Sequence, residues 1–571
     1  MLSSMRRSDY IKIFLFTVLL IAVGGYRFGT GDHVSQLPSA LHFLDPELYQ
    51  TDFPNQLIFP PYLKVGIHVV LFSLAYKIGM PVEYLYLACF FVVAYMLLLA
   101  CWRILMLLGV RQGSAELAMA LFVLFSLLYP SVSHFQIVVK RLVPYFFVLP
   151  LCLYSIWFFL QGRYLAASLL ASCSFIAHQQ LGLILFAGMS FSLLYSMFIP
   201  VNPRHEDGLS MCHVSGRLLE RAGRLYLQAG SPSVRLISWF MPFASTFLAY
   251  FVINLLMGSH RGYPWFDPAW GRELLAMVKF RVPHHLLISY AKIKHVAGFL
   301  VSIGLTCYIA FFQMRDSRPV QMLAFMAIGL SLLVPVGILF TSYYPLPVAL
   351  SLYLFRGDIF IRIIFFCVLV AFLDRKLHFN ISSRQRNILY GAAAVVSMVL
   401  VFIIGRIQVH IPGTEVPMLC QCIQEKTGED AFILAPPDIQ GIRLYSRRSV
   451  FASWKSHGLF FMPGIAREWF HRMKLLCGGD DVYSCMGKGC RKMCGKNYDH
   501  LSVNDLLDIA RSYNVDYLLL RNRTEPVYKP VCKSENFVLY HLDSVGASAG
   551  NHRSPARYLQ IEGHSSGDIE E

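Results

Sequence analysis

Residues 13–61 read IFLFTVLLIAVGGYRFGTGDHVSQLPSALHFLDPELYQTDFPNQLIFPP. The opening part, Ile13–Gly25, is an unbroken apolar run behind Arg6, Arg7 and Lys12, with no small-residue cleavage site after it. That pattern predicts a retained start anchor with a cytoplasmic N-terminus, not a removed signal peptide. Residues 30–61 then turn polar, acidic and proline-rich. Such a stretch is expected to be a structured loop on the outer side, not a second span.

Outward from this segment the same composition continues. Of 571 residues, 56% are hydrophobic and only 15% charged, whereas a soluble domain carries about 25% charged residues. Apolar runs recur near 62–80, 83–108, 115–131, 143–161, 164–178, 180–200, 235–257, 295–313, 319–341, 345–356, 358–374 and 387–409. With the first run they give about thirteen spans, many near the roughly 20 residues that cross a hydrocarbon core, two of them short, with 164–200 readable as a broken pair and the parity left open. Arg217, Glu220, Arg221 and Arg224 fall at helical spacing inside the hydrophilic stretch 201–234, which suggests a helix along the membrane surface.

The charge excess is +16, from 50 Lys+Arg against 34 Asp+Glu. It is assigned to topology and anionic headgroups; no compact basic domain with interleaved aromatics supports nucleic-acid binding. Arg375, Lys376, Arg384 and Arg386 precede the last span. By the positive-inside rule they put that loop in the cytoplasm and everything after Val409 outside. Lys140 and Arg141 suit a cytoplasmic loop as well, while the basic 201–234 segment falls outside in this count. The expected organisation is an α-helical polytopic membrane bundle over 1–409, a small soluble extracytoplasmic α/β domain over 410–545, and a disordered tail over 546–571.

In the tail, Ala431–Ala435, Ser449–Ser453, Asp516–Leu520 and Phe537–His541 read as strands, and Ile465–Leu476 and Val503–Ser512 as helices. Cys477, Cys485, Cys490 and Cys494 lie in a Gly/Lys-rich loop whose spacing matches zinc sites only in part. On an oxidising face two disulfides are the more natural reading. Cys420 and Cys422 are too close to bridge each other comfortably, so each is open to a partner elsewhere, Cys532 among them, and the spacing fixes no connectivity.

Chemistry concentrates in the first loop. Asp32 and His33 follow span one directly, with Asp45, Glu47 and Asp52 beyond. A carboxylate at the membrane surface can take a proton from a hydroxyl or hold a divalent cation. The plainer alternative is that Asp32 and Asp45 cap helices starting at His33 and Pro46. Residues 258–288 carry Arg261, Tyr263, Trp265, Asp267, Trp270, His284 and His285, whose aromatics read as an interface belt or a sugar-stacking surface. His178, before Gln179 and Gln180, either lines a cavity or marks a broken helix. Arg443, Arg447 and Arg448 bind an anion or pair with the protein's own acids. No P-loop, GxGxxG, HExxH or GxSxG pattern occurs.

An N-terminal anchor, an acidic first outer loop, about thirteen spans and an outer α/β tail together resemble the GT-C class, membrane glycosyltransferases that use polyprenyl-phosphate-linked sugars. The segments GDHVSQLPSALHFLDPELYQTDF and GEDAFILAPPDIQGIRLYSRRSVFASWKS, with Trp469 after them, are similar to an uncharacterised bacterial integral-membrane family of this layout. The resemblance implies a bacterial inner or plasma membrane, a lipid-linked sugar donor and surrounding membrane lipids as partners. It implies Asp32 as general base or metal ligand with His33 beside it, and Glu116 as a second acid. It also implies Arg356 and Arg362 holding the leaving phosphate. Where several members have two adjacent acids this chain has Asp-His, which leaves a divalent cation cofactor open. Arg356 also reads as a partner of Asp358 or as a snorkelling helix-end residue. A non-catalytic membrane scaffold and a lipid or solute transporter are the alternatives, although the chain lacks the internal repeat common in transporters.

Overall fold

Asp9 accepts from the Arg6 backbone N–H at 3.1 Å and so caps the helix Arg7–Gly24. Its Ile13, Phe16 and Leu20 are fully buried against Val82–Leu107, Gln112–Leu128 and Ser383–Met398. The computed structural model describes residues 5–53, 66–128, 131–132, 136–198, 231–256, 264–377, 382–403, 407–408, 415–456, 463–521 and 530–542. The expected surface helix at Arg217–Arg224, the loop residues Arg261 and Tyr263, and the tail 546–571 lie outside the described residues.

Five described helices are long and apolar enough to cross a membrane: Val82–Leu107, Gln179–Met197, Pro232–Ile253, Ile293–Gln313 and Arg318–Tyr343. Gly66–Ile78, Gln112–Ser126, Pro144–Leu160, Tyr164–Ala177 and Asn387–Phe402 are shorter apolar helices. The 164–200 run breaks at His178, whose φ of −154° and ψ of 88° end one helix before Gln179 opens the next. The 345–356 run, expected as a span, is instead a six-residue helix, Pro347–Leu352, followed by a 3₁₀ turn. Six residues rise only about 9 Å, too little to cross a bilayer.

The bundle has two chemically distinct ends. At one, Lys12 meets Glu116 at 2.6 Å, Gln112 donates to Asp9, and Arg111 grips Asp374 at 2.9–3.0 Å. At the other, strand β1 (Tyr26–Arg27) pairs in parallel with β2 (Ile407–Gln408), and the Arg27 N–H donates to the Lys140 carbonyl at 2.6 Å. Lys140 and Arg141 therefore sit at the same end as Asp32, not on the expected cytoplasmic side with the N-terminus. The 140–141 loop is held at that end by its bond to β1, so the two short basic loops do not share one end as the positive-inside rule would have it.

Beyond β2, residues 415–542 carry a five-stranded mixed sheet in the order β4-β3-β5-β7-β6. The strands are β3 (Phe432–Leu434), β4 (Ser449–Val450), β5 (Tyr517–Arg521), β6 (Pro530–Lys533) and β7 (Phe537–His541). β3 runs parallel to both β4 and β5, and β7 pairs antiparallel with β5 and β6. Helices Glu415–Lys426, Pro463–Cys477, Lys488–His500 and Val503–Ser512 accompany the sheet. Disulfides join Cys422–Cys532, Cys477–Cys494 and Cys485–Cys490, and Cys420 remains a buried thiol.

Candidate active site beyond the first helix

The helix His33–Leu44 begins where its sequence predicts, and the Asp32 carbonyl accepts the Ser35 and Gln36 N–H groups at 3.2 and 3.0 Å. The Asp32 side chain, however, makes no capping bond. It turns away, and its Oδ1 lies 2.5 Å from Lys455 Nζ while the side chain stays 42% exposed. Gly31 makes room for a second cation. A Cβ there would lie 2.0 Å from the Arg141 guanidinium carbon, and the φ of +60° suits glycine. The Lys455 ammonium, and behind it Arg141 and His285, hold the Asp32 carboxyl well below the usual carboxylate range against the opposing effect of burial.

Two more arginines feel the same carboxylate. Arg281 donates to the Ser456 carbonyl at 2.6 Å and stacks 5.4 Å over the Trp469 ring. Arg356 lies 4.5 Å over the Tyr353 ring and donates to Gln180 Oε1, with His178 Nε2 at 3.3 Å. The helix break at His178 thus serves to aim Arg356, as does the left-handed Tyr353 (φ 51°). Asp32 thus contacts one cation, Lys455, and lies within electrostatic reach of three arginines from three other segments.

His33 is placed differently from the role the resemblance implies. It is fully buried; Nδ1 accepts the Gly29 N–H at 3.2 Å and Nε2 faces the Leu142 carbonyl at 2.6 Å. Only the neutral Nε2–H tautomer satisfies both, and neither nitrogen is left for a substrate. It positions Asp32 and the Arg141 loop. Burial pushes its pKa from 6.5 down to about 4. The unfolded chain therefore takes up a proton that the folded chain refuses. Stability present above pH 6.5 is lost as the pH falls towards 4, by roughly 3 kcal/mol at most. We expect thermal unfolding in detergent to show this acid limb and His33→Asn to flatten it; an unchanged limb would refute the assignment.

Glu116 does not join Asp32. It is buried against Lys12 at 2.6 Å, and the rise from Lys12 to Gly24 alone separates it from the site by roughly 18 Å. Arg362 pairs with Asp358 at 3.4 Å, both 1% exposed, and Asp358 also accepts from Ser131 Oγ and the Val132 N–H at 2.7 and 3.1 Å. The partner of Asp358 is thus Arg362, not Arg356, and the pair fixes the start of the Asp358–Leu377 helix. Asp45 accepts from the Glu47 N–H at 3.2 Å within a turn, where no helix starts at Pro46.

Asp52 makes a two-pronged bond to Arg443, at 2.6 and 3.0 Å. Arg448 binds the Gln424 and Thr427 carbonyls at 3.0 and 2.8 Å. Of the two readings open for these arginines, bonding to the protein's own groups is the one observed at Arg443 and Arg448. Trp270 is 1% exposed beneath Arg467, so it stacks on no sugar. Asp267 caps the Pro268–Arg281 helix through the Ala269 N–H at 2.8 Å. Among the described residues no group of three or more His, Cys, Asp or Glu could hold a metal ion. A divalent cation does not fit the donor set at Asp32 either, since the neighbours of that carboxylate are themselves cations. Lys455 and Arg281 escaped the sequence reading, and Arg141 entered it only as a topology charge; the signal for Lys455 was its place in the run Ser453–Ser456 inside a segment already set apart.

The family model of a domain of unknown function, DUF6798, matches residues 415–476, the stretch that contains Arg443 and Lys455. A search of curated proteins finds no match. Among solved structures the chain is similar to the apo crystal structure of the Archaeoglobus fulgidus oligosaccharyltransferase, at 12% identity over 90% of this chain and 70% of that one, with a TM-score of 0.42. It is also similar to ArnT from Cupriavidus metallidurans bound to undecaprenyl phosphate, at 10% identity over 96% of this chain and 100% of that one, with a TM-score of 0.39.

Proposed function

We propose that the chain is a membrane glycosyltransferase that moves a sugar from a polyprenyl-phosphate donor to a lipid or glycan acceptor. The observation that carries this reading is a partly exposed carboxylate, Asp32, bonded to Lys455 and within electrostatic reach of Arg141, Arg281 and Arg356 at one end of an apolar bundle. A lipid tail suits the bundle surface, and the cations suit a phosphate headgroup. Asp32 takes the acceptor's hydroxyl proton as the new C–O bond forms. The sugar–phosphate bond breaks and its electron pair leaves on the phosphate, where Arg356 stabilises the growing charge. A donor already activated in this way needs no nucleotide site.

Three disulfides in residues 422–532 support an oxidising, extracytoplasmic setting for that part of the chain. The N-terminus and the basic 375–386 loop would then face the cytoplasm. The reading is tested by supplying purified full-length protein in nanodiscs with a panel of undecaprenyl-phosphate-linked sugars and following release of undecaprenyl phosphate. Release with label passing to an acceptor is the expected result. A silent panel, together with a reporter after Val409 that reads cytoplasmic, would favour a scaffold.

A further inference from the structure

We infer that Lys455 is a positioning residue shared between Asp32 and an incoming lipid phosphate, so that the Asp32–Lys455 bridge is the closed state of the site and the phosphate opens it. The inference rests on the donor reading above and adds how the site responds to the donor. Its basis is geometric. The turn that delivers the ammonium is fixed from four sides. The Trp454 N–H donates to the Pro437 carbonyl at 2.9 Å, and Ser453 Oγ to the Lys455 carbonyl at 2.9 Å. Trp469 Nε1 donates to the Ser453 carbonyl at 3.0 Å, and Arg281 to the Ser456 carbonyl at 2.6 Å. Only the four-carbon stem is left to move, and a lysine stem moves easily.

The bridge itself is open to water, with Lys455 27% and Asp32 42% exposed. Exposed ion pairs contribute about 0–1 kcal/mol, so exchange to a better anion costs little. A phosphate offers more charge and more acceptor oxygens than one carboxylate. The groups that face Asp32 are Lys455 from the turn after β4, Arg141 from the loop before Pro144, and His285 from the short helix Pro283–Leu286. Arg281 and Arg356 lie within electrostatic reach of the same carboxylate. While the site is unoccupied by donor, Asp32 is held as a weak base. A phosphate that takes Lys455 away removes the largest of these influences and restores basicity to the carboxylate just when an acceptor proton has to be moved.

The test uses the full chain in nanodiscs and farnesyl phosphate as probe, with farnesol as the neutral control, followed by calorimetry. Asp32→Asn, which leaves Lys455 only a neutral amide oxygen in place of a carboxylate, is expected to bind farnesyl phosphate about threefold more tightly, in keeping with the modest strength of an exposed ion pair. Lys455→Gln is expected to bind about tenfold more weakly, with Lys455→Arg close to the parent protein. In the Lys455→Gln background the gain from Asp32→Asn should vanish, which separates a shared lysine from simple charge repulsion. An unchanged or weaker Asp32→Asn, or the same gain in both backgrounds, overturns the inference. If Lys455→Gln does not fold, the Asp32→Asn and Lys455→Arg arms still decide. No preference of the parent protein for farnesyl phosphate over farnesol would instead overturn the donor reading.

Discussion

Arg443→Ala is expected to destabilise the folded chain by about 3–5 kcal/mol, because it leaves a buried carboxylate without its counter-charge. Asp52 is wholly inaccessible and Arg443 5% exposed, and two bonds of 2.6 and 3.0 Å join them. The same arginine's carbonyl accepts the Tyr49 hydroxyl at 3.1 Å, so the first loop and the 415–542 segment are locked at one point. Burial already pushes the Asp52 carboxyl up to about 6 even with the arginine present. Removing Arg443 pushes it further in the same direction. A carboxyl whose folded pKa is raised gives stability below its unfolded value near 4 that is lost as the pH rises through the folded value. The Arg443→Ala loss should therefore be greater at pH 8 than at pH 5. Tryptophan fluorescence during thermal unfolding in detergent reads this through buried Trp469 and Trp270. The pair Asp52→Asn with Arg443→Met should recover most of the loss, since an apolar replacement of similar volume removes the buried charge altogether. A loss below about 1 kcal/mol for Arg443→Ala would mean that the lock contributes no more than a surface pair.

Much of the bundle was legible because its signal is local. The 83–108, 143–161 and 319–341 runs become Val82–Leu107, Pro144–Leu160 and Arg318–Tyr343 with little shift at either end. The helix start after Asp32 and the strands at 432–434 and 537–541 follow equally from neighbouring residues. What pattern cannot supply is pairing over distance. Lys455 lies 423 positions from Asp32, and Arg443 lies 391 from Asp52. Nothing in either neighbourhood says which basic residue returns to which acid.

Glu116 came only from the resemblance, as the acid nearest to a next outer loop, and nothing in its neighbourhood shows that Lys12, 104 positions away, is its partner. Arg356 was legible as a costly charge beside apolar runs. Its holders, His178 and Gln180, were visible only as an interruption. The Asp32 side chain departs from the capping role its position suggests because two cations offer a stronger partner than a backbone N–H.

Asp32→Asn is expected to lower sugar transfer by about 10²–10⁴-fold, the usual contribution of a positioned general base, while leaving the fold intact. Asparagine matches the shape of aspartate and keeps an oxygen for Lys455. No capping bond is lost, since the Asp32 side chain makes none and the helix His33–Leu44 is anchored through the Asp32 carbonyl. Stability should accordingly stay within about 0.5 kcal/mol of the parent. In the parent protein the carboxyl is held well below the usual range by Lys455 and Arg141, so it stays ionised across the neutral and mildly acidic range. At low donor concentration, where the bridge to Lys455 is intact, loss of rate on acidification should then track the unfolding linked to His33, whose value is pushed down to about 4, and not protonation of Asp32. Asp32→Glu keeps the charge but moves it by one methylene, and should retain part of the rate if position matters as much as basicity. The decisive contrast is between two readouts on one variant. Asp32→Asn should hold a lipid phosphate at least as tightly as the parent and yet transfer almost nothing. An asparagine variant that transfers at more than about a tenth of the parent rate would remove Asp32 from the chemistry and leave it as an electrostatic partner of Lys455.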